Sequence, residues 1–146
     1  MDNDLISLYS AKLLALAADI PHLGRLDAPQ GRHRARSPQC GSAVTVDVSL
    51  EKGQIARFAQ DVKACALGQA SAALVGREIL GKTREDVQKA RDELAVMLCG
   101  GATPSAPFQE LEVLRAAAPF KNRHASILLC LDATLGAFED ATASAK

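Results

Sequence analysis

Ala43-Val44-Thr45-Val46-Asp47-Val48-Ser49-Leu50-Glu51-Lys52-Gly53-Gln54 is the stretch whose pattern decides the fold. Val44, Val46, Val48 and Leu50 alternate with Thr45, Asp47 and Ser49, a period of two that puts the apolar set on one face of a β-strand. Glu51 to Gln54 then reads as a short hairpin turn, and 55–64 returns as the next strand with Phe58 and Val62 inward. Upstream, Arg32-His33-Arg34-Ala35-Arg36 alternates basic side chains. That pattern fits an edge strand whose charged solvent face guards against pairing with other chains, a reading favoured over a docking patch. The three segments predict a small antiparallel sheet with one face covered.

Helical spacing governs the rest. Leu5, Leu8, Tyr9, Leu13, Leu16 and Ile20 predict a first helix over 4–20, capped by Asp2, Asn3 or Asp4 and stopped by Pro21. After the sheet, 67–80 predicts a helix closed by Gly81. Thr83 and Asp86 form a capping-box pattern ahead of a helix over 84–98. A Pro-containing loop covers 102–107, and a short helix over 108–118 is broken by Pro119. A last helix spans 122–141 with Ile127, Leu128, Leu131, Leu135 and Phe138 as its apolar stripe, and 142–146 reads as a frayed tail. The expected fold class is α+β: an N-terminal helix, a three-stranded antiparallel sheet, then helices packed on one face, as a single domain over 1–146.

Composition narrows the function classes. The 146 residues suffice for one domain with one ordinary core, and at 48% hydrophobic the chain is globular. Aromatics are only 3%, so the core is aliphatic. Lys plus Arg and Asp plus Glu are both 17, and this balance argues against nucleic acid as the main partner. No apolar run is long enough to span a bilayer, and Asp2 and Asp4 spoil a signal-peptide reading, so no membrane role and a cytoplasmic location are expected. The four cysteines are then expected as thiols or ligands rather than disulfides.

Cys65 stands where a strand gives way to a helix, and the N–H groups of a first helical turn lower a thiol's pKa. Cys40 lies in the turn Ser37-Pro38-Gln39-Cys40-Gly41-Ser42, and the hairpin places it at the same sheet edge as Cys65. Two thiols there are half of a soft-metal site or two small buried cysteines; spacing leaves both readings open. His124 starts the last helix, where the neutral, metal-binding form of the ring is favoured; from the residues alone it reads equally as a ligand or as a surface or capping histidine. Cys130 is expected as a packing residue on the face shared with Ser126 and Thr134, and Cys99 as structural or incidental at a helix C-terminus. Gly-x-Ser-x-Gly and Gly-rich phosphate-loop patterns are absent from the sequence, and a nucleophile, base and oxyanion set is not apparent, so the protein is not expected to be an enzyme.

These motifs resemble the IscU/SufU/NifU N-terminal family of iron–sulfur cluster assembly scaffolds. The resemblance runs from about Leu8 to Phe138 and rests on Pro38-Gln39-Cys40-Gly41-Ser42, Ala64-Cys65-Ala66-Leu67-Gly68-Gln69-Ala70-Ser71 and His124-Ala125-Ser126-Ile127-Leu128. It implies a scaffold or carrier that binds iron or a [2Fe-2S] cluster through Cys40, Cys65 and His124, with a cysteine desulfurase and cluster-recipient proteins as partners. The departures are Ser42, where the family carries aspartate, and Ala125, where it carries a third cysteine that accepts sulfur. A closed four-ligand site then requires a ligand from elsewhere. Two alternatives follow: a degenerate scaffold acting as a non-enzymatic adaptor or regulator, or a zinc-binding, SufU-like sulfur acceptor. Lys121 and Arg123 stand where they could neutralise an anionic cluster, contact a partner or remain solvated. Ala118-Pro119-Phe120-Lys121-Asn122 keeps one proline of the family's chaperone segment, which argues against recognition by the dedicated chaperone.

Overall fold

The computed structural model describes residues 10–38 and 41–144, with the Ser144 side chain excepted. The expected caps at Asp2, Asn3 and Asp4, the apolar positions Leu5, Leu8 and Tyr9, and Cys40 lie outside the described residues.

The alternating stretch forms the middle strand of a three-stranded antiparallel sheet. β1 (Gly31–Arg36), β2 (Ala43–Glu51) and β3 (Gln54–Lys63) lie in the order β1-β2-β3. Lys52 and Gly53 both have positive φ, 55° and 77°, so the β2–β3 connection has the twist that suits a two-residue hairpin loop. The register pairs Ala43 with Lys63, Val44 with Val62 and Val46 with Gln60. Val44, Val46 and Val48 are fully buried, and Phe58 is nearly so. Val62 is half-buried, and the buried partner between it and Phe58 is Gln60. Its amide donates to the carbonyls of Pro21 (3.1 Å) and Ala72 (3.2 Å) and accepts from the Cys130 thiol (3.3 Å), so burial leaves its polar atoms satisfied.

Helices cover this inner face. α1 (Ala11–Ala17) is capped by Ser10, whose hydroxyl accepts from the Leu13 N–H. It ends three residues short of the expected Ile20, because the chain tightens at Ala18 and Asp19 and Pro21 biases its predecessor toward extended backbone. α2 (Ala66–Glu78) ends before Gly81, contrary to the expected glycine cap. Gly81 instead sits at φ 84° in a turn whose N–H donates to Ile55 O, while Ile55 N–H donates to Lys82 O. α3 (Arg84–Leu98) begins with the predicted capping box of Thr83 and Asp86. The short helix expected over 108–118 is a 3-10 helix, Gln109–Ala117. Its buried side chains Leu111, Leu114 and Ala117, with Phe108 before them, recur every three residues, which matches a three-residue turn. A 3-10 turn over Lys121–Arg123 leads into α4 (His124–Ser144), so 142–144, expected to fray, are helical. Among the described residues no helix is long and apolar enough to cross a membrane.

β1 packs closely on α4. A Cβ on Gly31 would lie 2.1 Å from Ala137 O, and one on Gly136 would lie 2.3 Å from the His33 ring. Both glycines are therefore required by close approach. Arg32 N–H also donates to Asp140 of α4 (2.9 Å).

The outer face of the sheet departs from a simple solvated surface. Leu23 bridges to Gln60 of β3, and Gln30 N–H bonds Val48 O of β2, so the segment between them crosses the sheet. Asp47, on the polar side of β2, is only 1% exposed beneath it. Its carboxylate accepts from Arg25 Nε (2.9 Å), Arg32 Nε (2.7 Å) and the Leu26 N–H (3.0 Å). Burial alone would raise its pKa; the two guanidiniums and the amide outweigh it and hold the group at about 2. The stabilisation is thus present above the ordinary aspartate range and is lost as pH falls from about 4 toward 2. Asp47→Asn should destabilise the protein by about 2 kcal/mol at neutral pH. Urea unfolding should show the wild-type advantage shrinking steadily below about pH 4.

Candidate metal and sulfur site

The β2–β3 register sets the site. Because Ala43 faces Lys63, Ser42 and Cys65 emerge at the same end of the hairpin. Cys65 is the N-cap of α2, held extended at φ −67° and ψ 171°. The half-buried sulfur interacts with the N–H groups of Gly68 and Leu67, the Ser126 hydroxyl and the Arg123 side chain. Burial raises the thiol's pKa, but these donors outweigh it, and the net position is below that of an ordinary cysteine. The activating role expected of a helix start is therefore realised through two identified amides. Arg123, which sequence left among three roles, is one of the groups that favour the thiolate.

Ser126 is the group that sequence reasoning passed over. It lies in the first turn of α4, is 1% exposed, and has Oγ 3.5 Å from Cys65 Sγ and 3.1 Å from Ser42 Oγ. With a thiol at Cys65, Ser126 can accept from sulfur and donate to Ser42. A thiolate can only accept, so Ser126 turns its hydrogen toward sulfur and its oxygen becomes free to accept from Ser42. An aspartate at 42 would instead place a second anion behind Ser126 and oppose the thiolate. Gly68 makes the approach possible: a Cβ there would lie 2.7 Å from Ala64 Cβ and 2.8 Å from Ser126 Oγ. Ser71, fully buried one turn on, donates to Ile127 O (2.7 Å) and fastens α2 to α4. The signal for Ser126 was its place beside the histidine in the third motif, but only packing shows what it touches.

His124 opens α4 and is half-buried. Its Nε2 is 3.0 Å from both Ala117 O and Ala118 O. Carbonyls only accept, so Nε2 carries the hydrogen and Nδ1 is the lone-pair nitrogen of the neutral ring. A ring fixed by donation to backbone carbonyls is the usual arrangement behind a metal-binding imidazole. Ala125, at the position of the family's third cysteine, is exposed in the first turn of α4, and Ser42 is buried. Among the described residues no three His, Cys, Asp or Glu side chains form a metal-binding group. Cys40, named with Cys65 and His124, lies outside those residues.

The other thiols behave as expected. Cys130 is buried against Gln60, and desolvation pushes its pKa up to about 12 despite the Thr134 hydroxyl. Cys99 is exposed and caps the C-terminus of α3.

This architecture has solved counterparts. The N-terminal part of a nitrogen-fixing NifU-like protein from Brucella abortus is 33% identical and superposes with a TM-score of 0.91 over 96% of this chain and 98% of its own. The chain belongs to the IscU/SufU/NifU N-terminal family. It is also 25% identical over 122 residues, 83% of this chain and 76% of the relative, to the iron–sulfur cluster assembly scaffold protein IscU of Streptococcus pyogenes serotype M1. A putative iron–sulfur cluster assembly scaffold protein for the SUF system of Fervidobacterium islandicum AW-1 shares the fold, with a TM-score of 0.79, 18% identity and coverage of 90% and 96% of the two chains. No family model matches the chain. Within this family, Ser42 and Ala125 stand where the resemblance places aspartate and cysteine, so the hydroxyl chain is built around one of the substitutions.

Ser126→Ala should raise the pKa of Cys65 and slow its alkylation several-fold near neutral pH, read by mass spectrometry of the Cys65 peptide across a pH series. Gly68→Ala should cost about 1–3 kcal/mol, because Ala64 and Ser126 must both yield. Urea denaturation measures that cost.

Proposed function

We propose that the protein is an iron–sulfur cluster assembly scaffold or carrier, a single-domain, non-enzymatic and cytoplasmic protein whose cargo is iron or a [2Fe-2S] cluster. The observation that carries the reading is the Cys65 thiol, held at a helix N-terminus by amides, a serine hydroxyl and Arg123, within a fold shared at 33% identity with a NifU-like protein. The donor set fits the cargo. Cys65 offers a soft thiolate, and His124 offers Nδ1 with its other nitrogen fixed on backbone carbonyls. Cys40 is the third proposed ligand, and its loop leads directly into Ser42 and β2.

Ala125 supplies no sulfur ligand. A protein-only site with four ligands is therefore not closed by Cys40, Cys65 and His124, and the remaining position is filled by an outside thiol, a second subunit or a partner. Such a site suits cargo that must leave again. Cysteine desulfurase and cluster-recipient proteins are the proposed partners, in keeping with the Streptococcus relative's being an iron–sulfur cluster assembly scaffold protein.

Anaerobic reconstitution with ferrous iron and sulfide should give thiolate-to-iron absorption. Cys40→Ala and Cys65→Ala should each abolish it, and His124→Ala should weaken it or shorten its lifetime. A colourless, iron-free product would overturn the scaffold reading and favour an adaptor. Stoichiometric zinc that iron cannot displace would favour a SufU-like sulfur acceptor.

A further inference from the structure

On the outer face of the sheet, next to the segment that crosses it, lies a groove of about 470 Å³. Its floor is made by small side chains, Ala43 and Thr45 of β2. Arg34 of β1 and Lys63 of β3 stand on either side, and Arg25 and Arg32 close the end over Asp47. The register sets this out in rows: Arg36, Ala43 and Lys63; Arg34, Thr45 and Asp61; Arg32, Asp47 and Ala59.

The charge on this face is unbalanced although the chain as a whole is neutral. Asp47 forms the ion pairs of two guanidiniums, both about half-exposed, and Asp61 also attracts Arg25, so Arg25, Arg32, Arg34 and Lys63 outnumber the two carboxylates. Arg34, Arg36 and Lys63 form no ion pair among the described residues. A scattering of solvated cations needs no partner, but these are aligned. Arg32, Arg34 and Arg36 point from alternate positions of one strand, about 6.6–6.8 Å apart. An extended peptide has the same two-residue repeat, so carboxylates at alternate positions meet successive guanidiniums in register.

We propose that this groove, with exposed Arg36 just beyond it on β1, docks an extended, acidic segment of a partner protein, with carboxylates at alternate residues paired to Arg32, Arg34 and Arg36 and a further one to Lys63. Nucleic acid fits less well. The groove's lining contains no Phe, Tyr or Trp on which a base could stack, and Asp61 lies within it. The groove reaches the end of the sheet that carries the thiol: Lys63 is two residues before Cys65, and Ala43 directly follows Ser42. A partner seated there lies across the approach to the site, while its binding depends on arginines that take no part in holding metal.

The test uses the whole chain and a labelled ten-residue peptide of alternating glutamate and serine, followed by fluorescence anisotropy at low salt. Binding should weaken as salt rises to physiological strength. Arg34→Glu combined with Lys63→Glu should weaken it about tenfold or more. Arg34→Gln with Lys63→Gln, a milder change that keeps a polar surface, should give an intermediate loss, and circular dichroism confirms folding of each. Iron–sulfide reconstitution of Arg34→Gln should match wild type, so a failed scaffold reading and a failed groove are seen separately. The proposal is overturned if the wild-type chain ignores the peptide, if the charge variants bind it equally well, if a scrambled peptide with its glutamates contiguous binds as tightly, or if a single-stranded oligonucleotide of equal charge binds more tightly.

Discussion

The Asp47 carboxylate holds the two sides of the sheet in their relation to each other. It lies on the middle strand, under the segment that leaves the edge of β3 and returns to begin β1. A lone buried carboxylate would cost several kcal/mol, but here two guanidiniums and an amide face it. The same ion pair fixes where Arg25 and Arg32 stand, and so defines one end of the basic groove. The inner face is closed differently, by the aliphatic β2 residues and by glycines that let α4 lie almost against the backbone of β1.

From that frame the surroundings of Cys65 follow by register. Ala43 opposite Lys63 brings Ser42 to the same end of the hairpin as Cys65, the 3-10 turn adds Arg123, and the start of α4 adds Ser126. Each group is supported from behind: Cys65 by α2 amides, Ser126 by the space left at Gly68, and His124 by the carbonyls of Ala117 and Ala118. The supports lie on two elements, α2 behind Cys65 and Ser126 and the end of the 3-10 helix behind His124. Chemistry at this corner favours a thiolate that is partly sheltered yet accessible, whereas Cys130 is sealed in the core and kept protonated.

The two substitutions relative to the family have opposite physical consequences. Alanine at 125 puts a methyl group, which can ligate nothing, in an exposed first helical turn. Serine at 42 replaces an anion by a hydroxyl that can both give and take a hydrogen bond. Here it accepts from Ser126 and places no second anion behind the Cys65 sulfur. Of the thiols among the described residues, Cys65 is the one whose pKa the surrounding donors lower.

Sequence alone determined the elements whose signals are local. The alternation of Val44, Val46 and Val48 set the middle strand, Thr83 and Asp86 set the start of α3, and the three motifs identified the family. Each depends on neighbours within a few residues, where spacing and capping act. Tertiary structure decided the rest. Asp47 reads as a solvent-side residue in a strand pattern, and only the crossing segment buries it. Gln60 stands at an apolar strand position, and only Pro21, Ala72 and Cys130 make that burial tolerable. The 3-10 form of Gln109–Ala117 came from a three-residue burial repeat that helical spacing did not distinguish. Ser126 meets Cys65 across 61 residues of sequence and Ser42 across 84. No local pattern encodes such a contact, because it arises only when β2, α2 and α4 are brought to one corner by packing.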